Sequence, residues 1–161
     1  MIIILGIFFI TVIALIFIYT SWQKKSAPVT STFSAQDSDR PKAEIGHASF
    51  DFGEIKVADI KQQDFTLKNT GTKPLQILNI NSSCNCTFGQ FIYKDLTSKE
   101  YGMHAQSGYV TDIAPGETAI IRVTYKPIIM PVYGFVERAV FITTNDPDNQ
   151  KIVFSVKAVV K

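Results

Sequence analysis

Cys84 and Cys86 are the only cysteines of this 161-residue chain, and one residue separates them in Ser82-Ser83-Cys84-Asn85-Cys86-Thr87. Three kinds of chemistry fit such a pair. On an extended strand, residues i and i+2 project from one face with Cα atoms about 6.5–7 Å apart, near the upper limit for a disulfide. A bridge between them therefore needs a turn, whose geometry Asn85 tolerates. A strained, labile bridge of that kind would suit a redox accessory role. Two thiolates on one face could instead converge on a soft ion. Met103, His104 and Met130 would then supply thioether and imidazole donors, a set that selects copper(I) ahead of zinc because Met is a poor zinc ligand. The remaining reading is structural: small cysteines, reduced or bridged, that only pack.

The rest of the chain limits these options. No thioredoxin-like βαβ pattern surrounds the pair, and the doubled Cys-x-x-Cys of zinc sites is absent. No phosphate loop, Gly-x-Ser-x-Gly or His-Glu-x-x-His occurs. The carboxylates are scattered, and Asp146 and Asp148 flank Pro147 as in a turn. His47 stands alone and reads as a surface residue. The net charge of +2 is too small for a nucleic-acid footprint. These features indicate a protein that is not an enzyme.

The elements that would position the cysteines fall into three parts. Ile2 to Tyr19 is nearly all apolar, and a helix from Ile2 to Trp22 would span roughly 30 Å, the thickness of a bilayer core. Tyr19 and Trp22 sit where amphipathic rings favour the interface. No basic residue precedes the run and no small-x-small site follows it, so residues 1–22 read as an uncleaved single-pass anchor rather than a signal peptide. Residues 23–42, rich in Ser, Thr, Ala, Pro and Asp, read as a flexible tether. Residues 43–161 have the size of one domain.

That domain repeats a short alternating run followed by a turn signal. Phe65 and Leu67 alternate with Asp64, Thr66 and Lys68 before Asn69-Thr70-Gly71-Thr72-Lys73-Pro74. Leu75, Ile77, Leu78 and Ile80 form the next run. Ala114-Pro115-Gly116-Glu117 precedes the alternation of Ala119, Ile121, Val123 and Tyr125. Asn145-Asp146-Pro147-Asp148 separates Val140 and Ile142 from Ile152, Phe154, Val156 and Ala158. Period-2 runs at this spacing, with no amphipathic helix among them, predict an all-β, immunoglobulin-like antiparallel β-sandwich of about seven strands.

Taken in order, Phe50-Asp51-Phe52-Gly53-Glu54-Ile55, Phe65 to Gly71, Cys84-Asn85-Cys86-Thr87, Pro115-Gly116-Glu117 and Thr144-Asn145-Asp146-Pro147 resemble the bacterial domain-of-unknown-function 1573 family. Its domains resemble Hydin-type and PapD-like immunoglobulin folds. The resemblance implies an exported or membrane-attached β-sandwich with no established enzymatic activity. Asn85 replaces the glycine of the usual Cys-Gly-Cys-Thr, and Gly102-Met103-His104 resembles a variant group. Met130 lies where such variants often carry a His.

Two signals disagree on orientation. Lys24 and Lys25 would hold the domain in the cytoplasm by the positive-inside rule, whereas the resemblance implies an extracytoplasmic domain, which is the expectation adopted. The leading expectation is a membrane-anchored interaction or accessory module of the cell envelope that meets an unknown envelope protein and no nucleic acid. Its contact surface is expected in the long Phe88 to Ala114 segment, at Phe91, Tyr93, Tyr101 and Tyr109. The alternatives are a copper(I)-handling protein using Cys84 and Cys86 and, third, a redox accessory protein.

Overall fold

The computed structural model describes residues 30–105 and 108–161, together with Val12 and Ile13, which are helical. The anchor expected over 1–22 otherwise lies outside the described residues, as does the first part of the tether. Among the described residues no helix is long and apolar enough to cross a membrane.

Ten strands form the domain: β1 (Ala43–Ile45), β2 (Ser49–Ile55), β3 (Lys61–Asn69), β4 (Leu75–Ser82), β5 (Thr87–Tyr93), β6 (Leu96–Thr97), β7 (Thr111–Ile113), β8 (Thr118–Tyr125), β9 (Gly134–Thr144) and β10 (Lys151–Val160). The one 3₁₀ turn among the described residues, Pro127–Ile129, follows β8. One sheet has the order β1-β3-β8-β5-β6 and the other β2-β10-β9-β4-β7. The all-β expectation is met, with two differences of detail. The strand count exceeds seven because β1, β6 and β7 are only two or three residues long, too short for alternation to register. The sandwich is also not wholly antiparallel, since β2 runs parallel to β10. That pairing joins the two ends of the domain, which no local pattern encodes.

Alternation becomes burial as the pleat dictates. In β3, Phe65 and Leu67 are buried while Asp64, Thr66 and Lys68 are exposed. Phe65 meets Phe154 of the opposite sheet with ring centroids 5.1 Å apart. Leu75, Ile77, Ile80, Ile121, Val123, Val140 and Ile142 fill the space between the sheets, each contributing roughly 1.5–3 kcal/mol by burial. The sheets approach so closely at Gly89 that a Cβ there would lie 2.5 Å from a methyl of Val140.

One end of the sandwich is closed by buried polar side chains. Asn69 accepts hydrogen bonds from the Lys42 and Gly71 N–H groups and donates to the Lys73 and Ile113 carbonyls. Asn145 accepts from the Gln76 N–H. Fully buried Asp146 accepts from the Ala43 N–H at 2.9 Å, from Asn149 and Arg40, and from the Asp148 N–H. Arg40 also meets Asp148 at 2.6 Å. The backbone at Gly71 lies against Arg40 and Lys42 so tightly that a Cβ would come within 2.3 Å of the Arg40 carbonyl oxygen. The second part of the expected tether is therefore held to the domain. The Ser31 N–H bonds the Gln76 side chain, the Thr72 N–H bonds the Arg40 carbonyl, and Thr70 and Lys42 pair through their backbones. Composition underestimated this segment because polar partners and a single buried residue, Pro41, fix it with little apolar area.

The buried hub and a surface ion pair should respond very differently to mutation. Asp146→Ala strands the buried Ala43 N–H and leaves Arg40 with Asp148 alone, and should cost about 1–3 kcal/mol. Arg122 meets Asp64 in a bidentate pair at 2.8 Å on the surface. The hydrogen bond from Arg122 holds the Asp64 carboxyl below its ordinary range, with burial opposing and the Arg122 charge adding. A depressed folded-state pKa gives stability that is present above the unfolded value and lost as pH falls through the folded value. Solvent screening at this exposed pair keeps the effect of Asp64→Asn under about 1 kcal/mol. Urea unfolding followed by circular dichroism checks both; equal costs would contradict the hub.

Candidate functional site

The cysteines occupy the corner where the chain leaves one sheet for the other, between β4 and β5. Ser82 and Ser83 secure the approach: the Ser82 hydroxyl donates to the Cys84 carbonyl at 2.8 Å, the Ser83 N–H donates to the Ala139 carbonyl, and the Ala139 N–H donates to the Ser83 hydroxyl. A tight turn over Asn85 and Cys86 follows, closed by the Thr87 N–H on the Cys84 carbonyl. It draws the Cα atoms to 5.3 Å, and the sulfurs are joined in a disulfide. The turn supplies the shortening that an extended strand lacks. The Thr87 hydroxyl lies 3.3 Å from the Cys84 sulfur, and the Cys86 N–H donates to that same sulfur at 3.2 Å. Both cysteines are buried, Cys86 completely.

The corner is continuous with the far end of the sandwich. The Cys86 carbonyl accepts from the Lys126 N–H at 2.8 Å, and Thr87 is paired with Tyr125. Lys126 lies over the Phe88 ring at 4.6 Å and pairs with Glu100 at 2.8 Å. The Tyr125 hydroxyl is buried without a well-formed hydrogen bond. Burial raises its pKa, and the Arg138 guanidinium pulls it partly back.

In this oxidised state neither sulfur is a thiolate, so copper(I) ligation would first require two-electron reduction of the bond. Met103 and Met130 are exposed, and His104 lies exposed in a turn. Among the described residues no three His, Cys, Asp or Glu side chains gather as a metal-holding group. His47 is exposed, its ring 5.1 Å from Phe65.

The expected aromatic contact surface is distributed differently. Phe91 and Tyr101 are buried in the core. Tyr93 is partly buried; its hydroxyl donates to the Glu117 carboxylate and accepts from the Ala114 N–H. Only Tyr109 of the four is exposed. The physical reason is that the Phe88 to Ala114 segment is not one long loop. It contains β5, β6, β7 and a two-bond bridge between Gly89 and Tyr101, so Phe91 sits on an inward strand position.

The apolar surface lies instead at the far end, in the connection from β8 to β9. Residues 128–135 are all exposed. They include Ile128, Ile129, Met130, Val132, Tyr133 and Phe135, with Tyr133 67% and Phe135 66% exposed. No charged residue falls between Lys126 and Glu137. A signal for this was present in the sequence: an apolar run without alternation, interrupted by Pro127 and Pro131, belongs to neither a half-buried strand nor a helix.

Two packed sheets with inward-alternating cores and connections that cross between them define an immunoglobulin-like β-sandwich. Within it, residues 43–103 match the family described as "Protein of unknown function (DUF1573)", as the motif order had indicated. No curated protein sequence matches the chain. Among solved structures, a protein of unknown function from Porphyromonas gingivalis W83 is similar at 18% identity and a TM-score of 0.59, covering 82% of this chain and 53% of that one. A family 123 glycoside hydrolase from Clostridium perfringens is similar at 11% identity and a TM-score of 0.53, covering 74% of this chain and 27% of that one. The chain thus spans about half the length of the first and a quarter of the second. At these identities the likeness shows the fold alone.

The disulfide closes a ring of only three residues. Chain-entropy scaling assigns such a ring about 1.6 kcal/mol, against more than about 3 kcal/mol for rings of 15 residues or longer. Reduction should therefore leave the circular dichroism spectrum intact and lower unfolding free energy by about 1–2 kcal/mol. Iodoacetamide should add nothing before reduction and two groups after it, read by mass spectrometry. Alkylation of the untreated protein would show the pair to be free.

Proposed function

We propose that this protein is a non-enzymatic, membrane-anchored interaction module of the bacterial cell envelope, docking through the end of the sandwich formed by residues 128–135. The observation that carries the reading is the continuous exposure of six large apolar side chains on a segment without charge. Scattered apolar residues are ordinary on a surface, but a contiguous patch marks a contact site. The buried polar groups support the non-enzymatic part: the Asn69 and Asp146 side chains are spent on backbone and turn partners. A disulfide persists on the oxidising side of the cytoplasmic membrane, which favours an extracytoplasmic domain over the orientation suggested by Lys24 and Lys25.

Two measurements test this. Protease added outside the cytoplasmic membrane of intact cells should digest the domain; protection until that membrane is opened would reverse the orientation. Ile128→Asp with Tyr133→Asp should leave unfolding stability within about 0.5 kcal/mol, as surface changes do. The same variant should migrate as a smaller assembly on native gels of mildly solubilised membranes. Unchanged migration would remove the 128–135 end as the docking site.

A further inference from the structure

The disulfide lies beside buried donors that it cannot satisfy. The Thr87 hydroxyl is fully buried, and among the described residues it meets only sulfur, 3.3 Å from Cys84 and 3.9 Å from Cys86. The joined sulfurs carry no hydrogen, so the hydroxyl is the donor in both contacts. Sulfur is a weak acceptor. Thr87 stands opposite Tyr125 in the β5–β8 ladder, and both side chains are buried between the sheets. Opposite residues on one face lie about 4.5–5.5 Å apart at Cβ. The Tyr125 hydroxyl has no well-formed hydrogen bond, and neither does the buried Nε of Arg138, whose guanidinium acts on that hydroxyl. Arg138 in turn precedes Ala139, which is bonded in both directions to Ser83 beside Cys84. Buried polar groups are ordinarily paired, and a cluster that is not calls for a specific reason.

What these donors lack is an anion, and opening the bond supplies one. A thiolate at Cys84 would accept from the Thr87 hydroxyl and from the Cys86 N–H, which already points at that sulfur from 3.2 Å. Charge-assisted hydrogen bonds are about twice as strong as neutral ones, and donors aimed at a sulfur favour its ionised form. The turn does not depend on the bond. Its closure by the Thr87 N–H and the Ser82 hydroxyl on the Cys84 carbonyl, and its attachment through Ser83 to Ala139, all persist when the sulfurs part. Reduction therefore leaves both sulfurs in place to be rejoined.

We propose that Cys84 and Cys86 form a thiol–disulfide exchange site for a dithiol substrate, with Cys84 the exchanging sulfur and Cys86 the resolving one. The proposal goes beyond the interaction module and does not depend on the 128–135 surface. Burial assigns the roles. Cys84 is 9% exposed between two exposed neighbours, Ser83 and Asn85, whereas Cys86 is 0% exposed. An incoming thiol reaches Cys84, and the donors on the Cys84 sulfur hold it after the exchange.

The steps balance as follows. A thiolate of the substrate attacks the Cys84 sulfur; that bond forms, the Cys84–Cys86 bond breaks, and Cys86 leaves with the electron pair and takes up a proton. The second thiol of the same substrate loses its proton to solvent and attacks the substrate sulfur of the mixed disulfide. Cys84 then leaves as a thiolate onto the Thr87 hydroxyl and the Cys86 N–H. The substrate is oxidised by two electrons to a disulfide, and this chain is reduced to a thiol and a thiolate. Run in reverse, the Cys84 thiolate attacks a substrate disulfide and Cys86 resolves the intermediate.

The test uses the full-length chain in mild detergent, with glutathione disulfide as the probe and circular dichroism as the check on folding. Cys86→Ser leaves Cys84 alone, and Cys84→Ser leaves Cys86 alone. The mixed disulfide, read by mass spectrometry of the intact chain, should form at Cys84 at least tenfold faster than at Cys86. Thr87→Val added to Cys86→Ser should slow it at least fivefold, and Thr87→Ser in its place should restore the rate. In the unmutated chain, dithiothreitol without denaturant should open the bond completely. Equal rates at the two cysteines, or a faster Cys86, overturn the assigned roles. A Cys84 rate indifferent to Thr87→Val overturns the part given to the buried donors. A bond that yields to dithiothreitol only when the chain is unfolded is structural and overturns the exchange site, leaving the docking surface untouched.

Discussion

The carboxylate of Asp146 ties the two sheets of this structure together at one end. It is fully buried, yet its four partners come from two distant stretches of the sequence: Arg40 and the Ala43 N–H at the start of the domain, and Asp148 and Asn149 in its own turn. β1 belongs to one sheet, and β9 and β10, which the turn joins, belong to the other. A buried charge is tolerated only when it is paired and hydrogen-bonded, so the turn, the first strand and the N-terminal segment must assemble together. Asn69 performs the neutral version of the same task a few residues away, holding Lys42, Lys73 and Ile113 at once. Two of the motifs that carried the family resemblance, Asn69-Thr70-Gly71 and Asn145-Asp146-Pro147, are therefore architectural in this chain. They close one end of a sandwich, and their chemistry is used up in doing so.

The cysteine corner is the counterpart at the other end of β4. Crossing between sheets in four residues exposes backbone groups that no ladder can satisfy, and the corner answers with local bonds: Ser82 to the Cys84 carbonyl, Thr87 N–H to the same carbonyl, and Cys86 N–H to sulfur. A three-residue disulfide ring restricts the unfolded chain little, so its contribution lies in fixing the turn through which β5 enters the second sheet. Because the Cys86 carbonyl takes the Lys126 N–H, the register of that turn also sets where β8 ends and the Pro127–Ile129 turn begins.

What was legible in the sequence follows from which forces are local. Phe65 and Leu67, or Ile152 and Phe154, announce a half-buried strand because side-chain direction repeats every two residues. The turns announce themselves through Gly116 and Pro147. The parallel partnership of β2 with β10 was invisible because it depends on residues more than 100 positions apart. Phe91 and Tyr101 fall in a long aromatic-rich segment that suggests a loop surface; β5 continues inward instead and takes Phe91 with it. The cysteine spacing posed the right question, with a turn as the condition for a bridge, but composition alone could not say that the turn forms. The segment from Arg40 to Lys42 has a tether's composition, yet the Arg40 ion pairs, the backbone bonds and the burial of Pro41 hold it to the domain.

The two ends of the sandwich are chemically opposite, and that polarity constrains what the domain can do. The end with Asn69, Asn145 and Asp146 has its polar groups saturated by the chain's own N-terminal segment, leaving little for a partner to bind. The end with residues 128–135 has large apolar groups and a strand edge that no strand among the described residues covers. Natural sheets protect their edges with short strands, charges or coverings: β1, β6 and β7 are two or three residues long, and the outer side of β5 is met by Ser98 and Tyr101. Among the described residues, the Gly134 to Arg138 edge is crossed by the Arg138 side chain at one carbonyl. The longer outer strand β2 carries Asp51 and Glu54 and is broken by Gly53 at positive φ, so the Gly134 to Arg138 edge stands out by lying beside the most exposed aromatic residues, at the end opposite the Arg40–Asp146 closure.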